Sequence, residues 1–277
     1  MADLLRWLDA KSRFEENCFA AIREALQQLE GEAWPSLGAL NQIASDQRLK
    51  NFRGMPLKFI GPSINGAAPQ HYETRIAETG QIATRENWHD LFNALQWLTF
   101  PKAKAAISEM HTRLIAANDG EVKARSIRRD VLTLFDEGGI IISSTDPSLL
   151  DLIRQFQWRT LFVDRREDVK ACMHFFLAGH SVLEKMLNPF IGITAKALLI
   201  DIPQSVDKKI DKLSKPAQIL AFDAIVSEWL MNVDNLSTTR NLHPLPILGV
   251  PGWDVRNESA GFYDDNHYFR RGRVKSP

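Results

Sequence analysis

The chain has 277 residues, 44% of them hydrophobic and 25% charged, which suits one large globular domain or two closely packed ones. Its 34 basic and 34 acidic residues cancel, so no overall field gathers a polyanion or an anionic membrane, and neither nucleic acid nor membrane is an expected partner. Asp3, Arg6 and Asp9 interrupt the amino terminus before an apolar run forms, and Cys18 and Cys172 are too few for a disulfide framework or a four-thiolate zinc site, so the expected setting is the cytoplasm.

In chain order, Ser12 and Glu15 have capping-box spacing, and Phe14, Cys18, Ala21, Ile22, Ala25, Leu26 and Leu29 follow on one face, predicting an amphipathic helix up to Gly31. A shorter helix follows Ser36 and buries Leu37, Leu40 and Ile43. From Pro56 to Ile82 the pattern reads as short strands or a hairpin, with a turn at Glu78-Thr79-Gly80. Thr84 to Pro101 is a helix capped by Asn87 or Thr84. Its stripe Trp88, Leu91, Phe92, Leu95 and Leu98 faces a core, Ala94 and Trp97 are apolar on the far side, and His89, Asn93 and Gln96 share a flank.

Apolar residues on both sides predict a helix sandwiched between layers, carrying its polar groups out of bulk water. Pro101 opens the next helix, with Ala103, Ile107, Met110 and Leu114 inside and an end at Asn118-Asp119-Gly120. Asp130–Phe135 and Ile140–Ser143 read as two strands joined by Asp136-Glu137-Gly138-Gly139, the clearest hairpin pattern in the chain. Asp146-Pro147 caps a helix containing Leu149, Leu150, Ile153 and Phe156, while Val169–Leu177 fits both a strand and a helix. Beyond it come a helix from His180, a short run TAKALLID, two helices over SVDKKIDKLS and PAQILAFDAIVSEWLMN, and a Pro- and Gly-rich tail. The tail's aromatics, Trp253, Phe262, Tyr263, Tyr268 and Phe269, predict that it is ordered and wraps the domain.

The motifs NWHDLFNAL, WLTFPKAK, RRDVLTLFDEGG, GHSVLEKML, TAKAL, PLPILGVPGW and FYDD together resemble the bacterial domain-of-unknown-function family 3025, from roughly Pro56 to the carboxyl end. The resemblance implies a bacterial single-family protein and supplies no catalytic residue.

Chemistry must therefore come from the residues. His180 and Glu184 lie one helical turn apart, a spacing that can offer two ligands to a divalent metal or let Glu184 orient His180 as a general base; the plainer account is a hydrogen bond along a helix surface. His89-Asp90 is similar to the His-Asp pair of metal phosphohydrolases, which would also need an earlier histidine, and only His71 precedes it. An acidic pair, Asp136-Glu137, near the basic Arg128-Arg129 is one way to place metal ligands, with surface salt bridging the plainer account. Lys123, Arg125, Arg128 and Arg129 can hold a phosphate-bearing ligand, and the acidic tail around Asp264 can add ligands or pin itself to arginines such as Arg75 and Arg85.

The expected architecture is α+β, predominantly helical, with a small sheet or hairpin: an N-terminal helical segment 1–55, a main domain 56–240 and a Pro- and aromatic-rich tail 241–277. Two functions follow. The first is a hydrolase- or lyase-like enzyme for a small polar or phosphorylated compound, with His89, His180 and Glu184 as catalytic residues, Arg85, Asn87, Asn93 and Arg129 binding substrate, and a divalent metal as an option. The second is a noncatalytic binding or assembly protein, in which these residues form an internal network and the tail engages a partner.

Overall fold

The computed structural model describes residues 6–29, 31–62, 72–116 and 122–272, with side chains from Ile127 onward in the last span. It is a mainly helical α+β fold with, among the described residues, a two-stranded and a four-stranded sheet. The expected end of the third long helix at Asn118-Asp119-Gly120, together with His71 and the side chains of Lys123 and Arg125, lies outside the described residues.

The first expected helix is instead a chain of short turns: α1 (Trp7–Lys11), two 3-10 turns, and α2 (Arg23–Gln27). Ser12 Oγ donates to the Asp9 carbonyl rather than capping a helix, and extended backbone at Glu16 breaks the run. The bend lets Phe19 join Phe14, Cys18 and Ile22 in the core, more apolar surface than one straight stripe could bury. Cys18 is a core thiol, pushed up to about 12 by burial, so it is not a nucleophile at neutral pH.

Next, α3 (Leu37–Asp46) is capped by Ser36, whose Oγ accepts from Ala39 N. Between Pro56 and Ile82, of the expected short strands or hairpin, the short strands are present as β1 (Lys58–Ile60) and β2 (Gln81–Ala83), but they pair in parallel with α4 (Tyr72–Thr79) between them, so they form no hairpin. Gly80 closes α4 at φ +69°, where a Cβ would also strike the Pro56 carbonyl. Then come α5 (Trp88–Thr99) and α6 (Pro101–Ala116). Of α5 every residue but His89 is buried, as expected of a helix with neighbours on both sides.

The second expected hairpin is also absent. Its first strand is the end of a long helix, α7 (Val122–Gly138), which runs directly into β3 (Gly139–Ser144). Burial shows why: Val131, Leu132 and Phe135 are inside while Thr133 is exposed, a helical and not an alternating pattern. Asp136-Glu137 thus forms the last helical turn, and Gly138-Gly139 leads out of it.

After β3 follow α8 (Pro147–Arg154), capped by Asp146, α9 (Arg166–Cys172) and β4 (Met173–Leu177), so the ambiguous segment is a helix in its first half and a strand in its second. Then come α10 (His180–Met186), β5 (Thr194–Asp201), α11 (Gln204–Ile210), α12 (Lys215–Met231) and β6 (His243–Pro246). The strand order is β4-β3-β5-β6; β3 is antiparallel to β4 and parallel to β5, and β6 is antiparallel to β5. Its two faces feed two cores. Ile140, Ile142, Ala195 and Ala197 join α5, α8, α10 and the tail, while Ile141, Leu198 and Ile200 join α6, α7 and α12.

The tail packs on its own domain. Tyr268 Oη donates to the Ile193 carbonyl and accepts from Leu248 N, and Trp253, Tyr263 and Phe269 are buried. Its acidic side chain Asp264 pairs with Arg159, and Tyr263 Oη accepts from Arg166; neither meets Arg75 or Arg85.

Asp223 on α12 caps α6, accepting from Lys102 N and Ala103 N at 2.9 and 2.8 Å. Burial raises its carboxyl to about 6 despite those bonds. Between the ordinary carboxyl value and about 6, the folded chain keeps a proton there that the unfolded chain has lost, so this group's contribution to stability falls as pH rises through that window. Asp223→Asn cannot ionise. Relative to it, wild type is expected to lose up to roughly 3 kcal/mol between about pH 4 and pH 7 in urea melts, and a difference that does not change with pH would contradict this.

Candidate functional site

An open pocket of about 390 Å³ lies where α4, α5, α7 and α10 meet; its lining includes Glu73, His89, Asp136, Glu137 and His180. That volume suits a small metabolite. Each side chain arrives for a local reason. His89 is the one residue of α5 left out of the core, on the flank that Asn93 shares. Arg129, Thr133 and the pair Asp136-Glu137 repeat at helical spacing along one side of α7.

His180 is the first residue of α10. It is placed by a hook, in which Ala178 N and Gly179 N both donate to the Gly139 carbonyl at 3.0 and 2.9 Å. The start of α10 is thereby pressed against the end of α7, and His180 meets Glu137.

The imidazoles of His89 and His180 stand edge to face, centroids 4.5 Å apart. Their Nε2 atoms lie 3.6 and 3.5 Å from the same oxygen, Glu137 Oε2. Their Nδ1 atoms face two different aspartates: His89 Nδ1 is 3.2 Å from Asp90 Oδ1, and His180 Nδ1 is 3.7 Å from Asp136 Oδ2. Each aspartate is in turn held by a cation. Arg85 donates to Asp90 through Nε at 2.8 Å and Nη2 at 3.1 Å, while Lys104 Nζ donates to Asp136 at 2.5 Å and to Asn93 Oδ1 at 2.8 Å. Asn93 Nδ2 donates to Tyr72 Oη.

The carboxylates are tuned in opposite directions. Contact with His180 and a hydrogen bond from Ser181 outweigh burial and hold Glu137 down to about 2. Burial works against the charge of Asp136, but Lys104 and His180 overcome it, and the result is below the ordinary range. At Asp90, burial is likewise outweighed by the bonds from Arg85. Glu73 goes the other way, raised by burial and by the charge of Asp136. The pocket therefore combines three carboxylates held below the ordinary range with one raised above it.

Of the residues singled out in the sequence, Arg85, His89, Asp90, Asn93, Arg129, His180 and the acidic pair Asp136-Glu137 line this pocket. Asn87 does not; its Oδ1 accepts from Asp90 N and caps α5. Glu184 is also outside the lining, and no ion pair joins it to His180. The carboxylates beside His180 are Asp136 and Glu137, two residues the hairpin reading had assigned to a turn. Lys104, Tyr72, Glu73 and His111 were not anticipated. One local pattern bears on the acidic pair: two adjacent acids in the last turn of a helix oppose the backbone dipole, so they call for a reason other than helix stability.

Residues 57–273 match the family model described as "Protein of unknown function (DUF3025)", most of the chain. No curated protein and no solved structure matches it.

The hook at Gly179 has no room for a side chain, since a Cβ there would come within 2.4 Å of Gly139 N and 2.5 Å of the Glu137 carbonyl, both backbone atoms. Gly179→Ala must push α10 away from α7 and with it His180 from Glu137. The expected loss is at least about 2 kcal/mol in urea melts. A loss below about 0.5 kcal/mol would show that the junction is looser than described.

Proposed function

The chain belongs to the DUF3025 family, and from its pocket we propose that it is an enzyme, hydrolase- or lyase-like, acting on a small polar or phosphorylated compound. The observation that carries the reading is the convergence of His89 and His180, from distant parts of the chain, on one oxygen of Glu137 inside a concave pocket. The reacting centre is the point on which those three groups converge. Glu73, whose carboxyl is raised by burial, also lines the pocket, and we assign it the donation of a proton to a leaving group. Arg129 and Arg85 stand at the rim and meet the anionic end of the compound, with Arg85 steadied by Asp90.

A noncatalytic reading, in which the polar cluster is scaffold, accounts for the run Tyr72, Asn93, Lys104 and Asp136, each of which has a hydrogen-bond partner. It does not account for His180, a buried ring whose Nδ1 has no hydrogen-bond partner. The aromatic tail, expected on that reading to engage a partner, has Trp253, Tyr263, Tyr268 and Phe269 packed in the chain's own core. No helix among the described residues is long and apolar enough to cross a membrane, and both cysteines are free, which fits the cytoplasmic setting that belongs to this reading.

The reading is tested by thermal shift against a panel of phosphorylated and carboxylated metabolites, followed by turnover assays on the compounds that bind. A ligand is expected to raise the Tm by several degrees, since about 1 kcal/mol corresponds to roughly 2–4 °C in a chain of this size. Arg129→Ala, at an exposed position, is expected to weaken that ligand about tenfold or more without changing the unliganded Tm. Glu137→Gln is expected to lower turnover by about 100-fold or more. A panel without a stabilising compound, or one bound equally well by Arg129→Ala, would contradict the proposal.

A further inference from the structure

We propose that His89 Nε2, His180 Nε2 and Glu137 Oε2 are the protein ligands of one divalent first-row transition-metal ion at the floor of the pocket. The inference rests on the reading of that pocket as a reacting centre and names what occupies it.

Three independent features carry it. First, distances: one ligand atom from each of the three residues lies within 4.8 Å of the others, and the two Nε2 atoms are 3.6 and 3.5 Å from Glu137 Oε2. That is too long for hydrogen bonds, which end near about 3.2 Å. It is close to the edge of a tetrahedron, about 3.4 Å, drawn by donors at about 2.1 Å from a central zinc-sized ion. That spacing is the one ligands of a single ion take up.

Second, the outer partners. In a metal-bound imidazole the far nitrogen carries a proton and gives it to a carboxylate or carbonyl. His89 is arranged that way, with Nδ1 hydrogen-bonded to Asp90 at 3.2 Å, while Nδ1 of His180 lies 3.7 Å from Asp136 Oδ2, on the side of that carboxylate but beyond hydrogen-bond reach. Arg85 and Lys104 fix those two aspartates and cancel their charge. Glu137 is then left as the one net charge among the three inner groups, which suits a divalent cation that keeps positions open for water or substrate.

Third, an orphan. His180 is 4% exposed, and its buried Nδ1 has no hydrogen-bond partner. A buried ring is not left unsatisfied without a reason. Metal at Nε2 supplies one: it fixes the proton on Nδ1, aimed at Asp136. Glu137 Oε2 meanwhile accepts from Ser181, an outer contact that steadies a ligating carboxylate. Among the described residues a second histidine–carboxylate group, His174 with Asp207 and Asp211, lacks this signature, because His174 Nε2 already hydrogen-bonds Asp207 at 3.0 Å.

Two nitrogens and one carboxylate suit zinc and ferrous iron alike, while magnesium prefers oxygen alone. The test is titration of the full chain, stripped with chelator, using zinc, ferrous iron under anaerobic conditions, cobalt(II) and magnesium, followed by calorimetry and elemental analysis. One equivalent of zinc or iron is expected, cobalt(II) is expected to give visible absorption from a low-coordinate site, and magnesium is expected not to compete. Glu137→Gln and His89→Gln remove half-exposed groups and keep the core closed, so they test the site without risking the fold. Each is expected to weaken binding at least 100-fold, whereas Glu184→Gln and His174→Gln leave it unchanged.

Absence of stoichiometric uptake, uptake that survives both Glu137→Gln and His89→Gln, or uptake lost in His174→Gln overturns the inference. Metal uptake without turnover on any panel compound upholds the metal site and counts against the enzymatic reading. Turnover by the metal-free chain upholds that reading and overturns the metal.

Discussion

Burying a lysine and an aspartate together removes two full charges from water, and the desolvation of each is recovered only if their geometry is close and their remaining hydrogen-bonding capacity is met. Lys104 and Asp136 meet those conditions. The ammonium also donates to Asn93, which donates to Tyr72, so α4, α5, α6 and α7 are tied at one point by polar contacts rather than by apolar packing alone. The rest of the pocket follows from that tie. With Asp136 fixed, Glu137 on the next position of α7 points into the open space, and the hook of Gly179 over Gly139 sets His180 against it. The dipole of α7 opposes both acids at its end, and what offsets it is Lys104 for one and the two imidazoles for the other. An arrangement held against the local preference of its own helix is the kind found at sites rather than in scaffolding.

Those parts of the fold written by local chemistry were legible. The cap at Ser36, the cap at Asp146 with Pro147 behind it, and Asn87 before the apolar stripe of α5 each announce a helix start within a few residues. The segment DVLTLFDEGG was misread because β-branched and apolar residues before an acidic, glycine-rich turn satisfy hairpin rules as well as helix rules. Only the burial of Val131 and Leu132 side by side, against core elements far along the chain, decides for the helix. The opening helix failed for the opposite reason. Its period was right, yet the tertiary gain from turning Phe19 inward as well as Phe14 and Cys18 outweighed one continuous helix. Val169–Leu177 fitted two patterns because it is two elements.

The site was half legible. His89, Asn93 and His180 stand out because they are polar residues on apolar helices, and that anomaly is visible without coordinates. Glu184 was chosen as the partner of His180 from spacing within one helix. The first residue of a helix, however, projects back over the turn before it, and at α10 that turn is the Gly139 junction with Asp136 and Glu137 beside it. Which carboxylate meets an imidazole is a long-range fact, set by the order β4-β3-β5 and by the helix entering β3.

The claim at the centre of this account is that two imidazoles and Glu137 act as one centre around a shared point. Anomalous diffraction from crystals grown with zinc, recorded on both sides of the zinc absorption edge, looks at that point directly. The account expects one strong peak at bonding distance, about 2.1 Å, from His89 Nε2, His180 Nε2 and Glu137 Oε2. A featureless map there, with hydrogen bonds closing the three groups on one another, would contradict it.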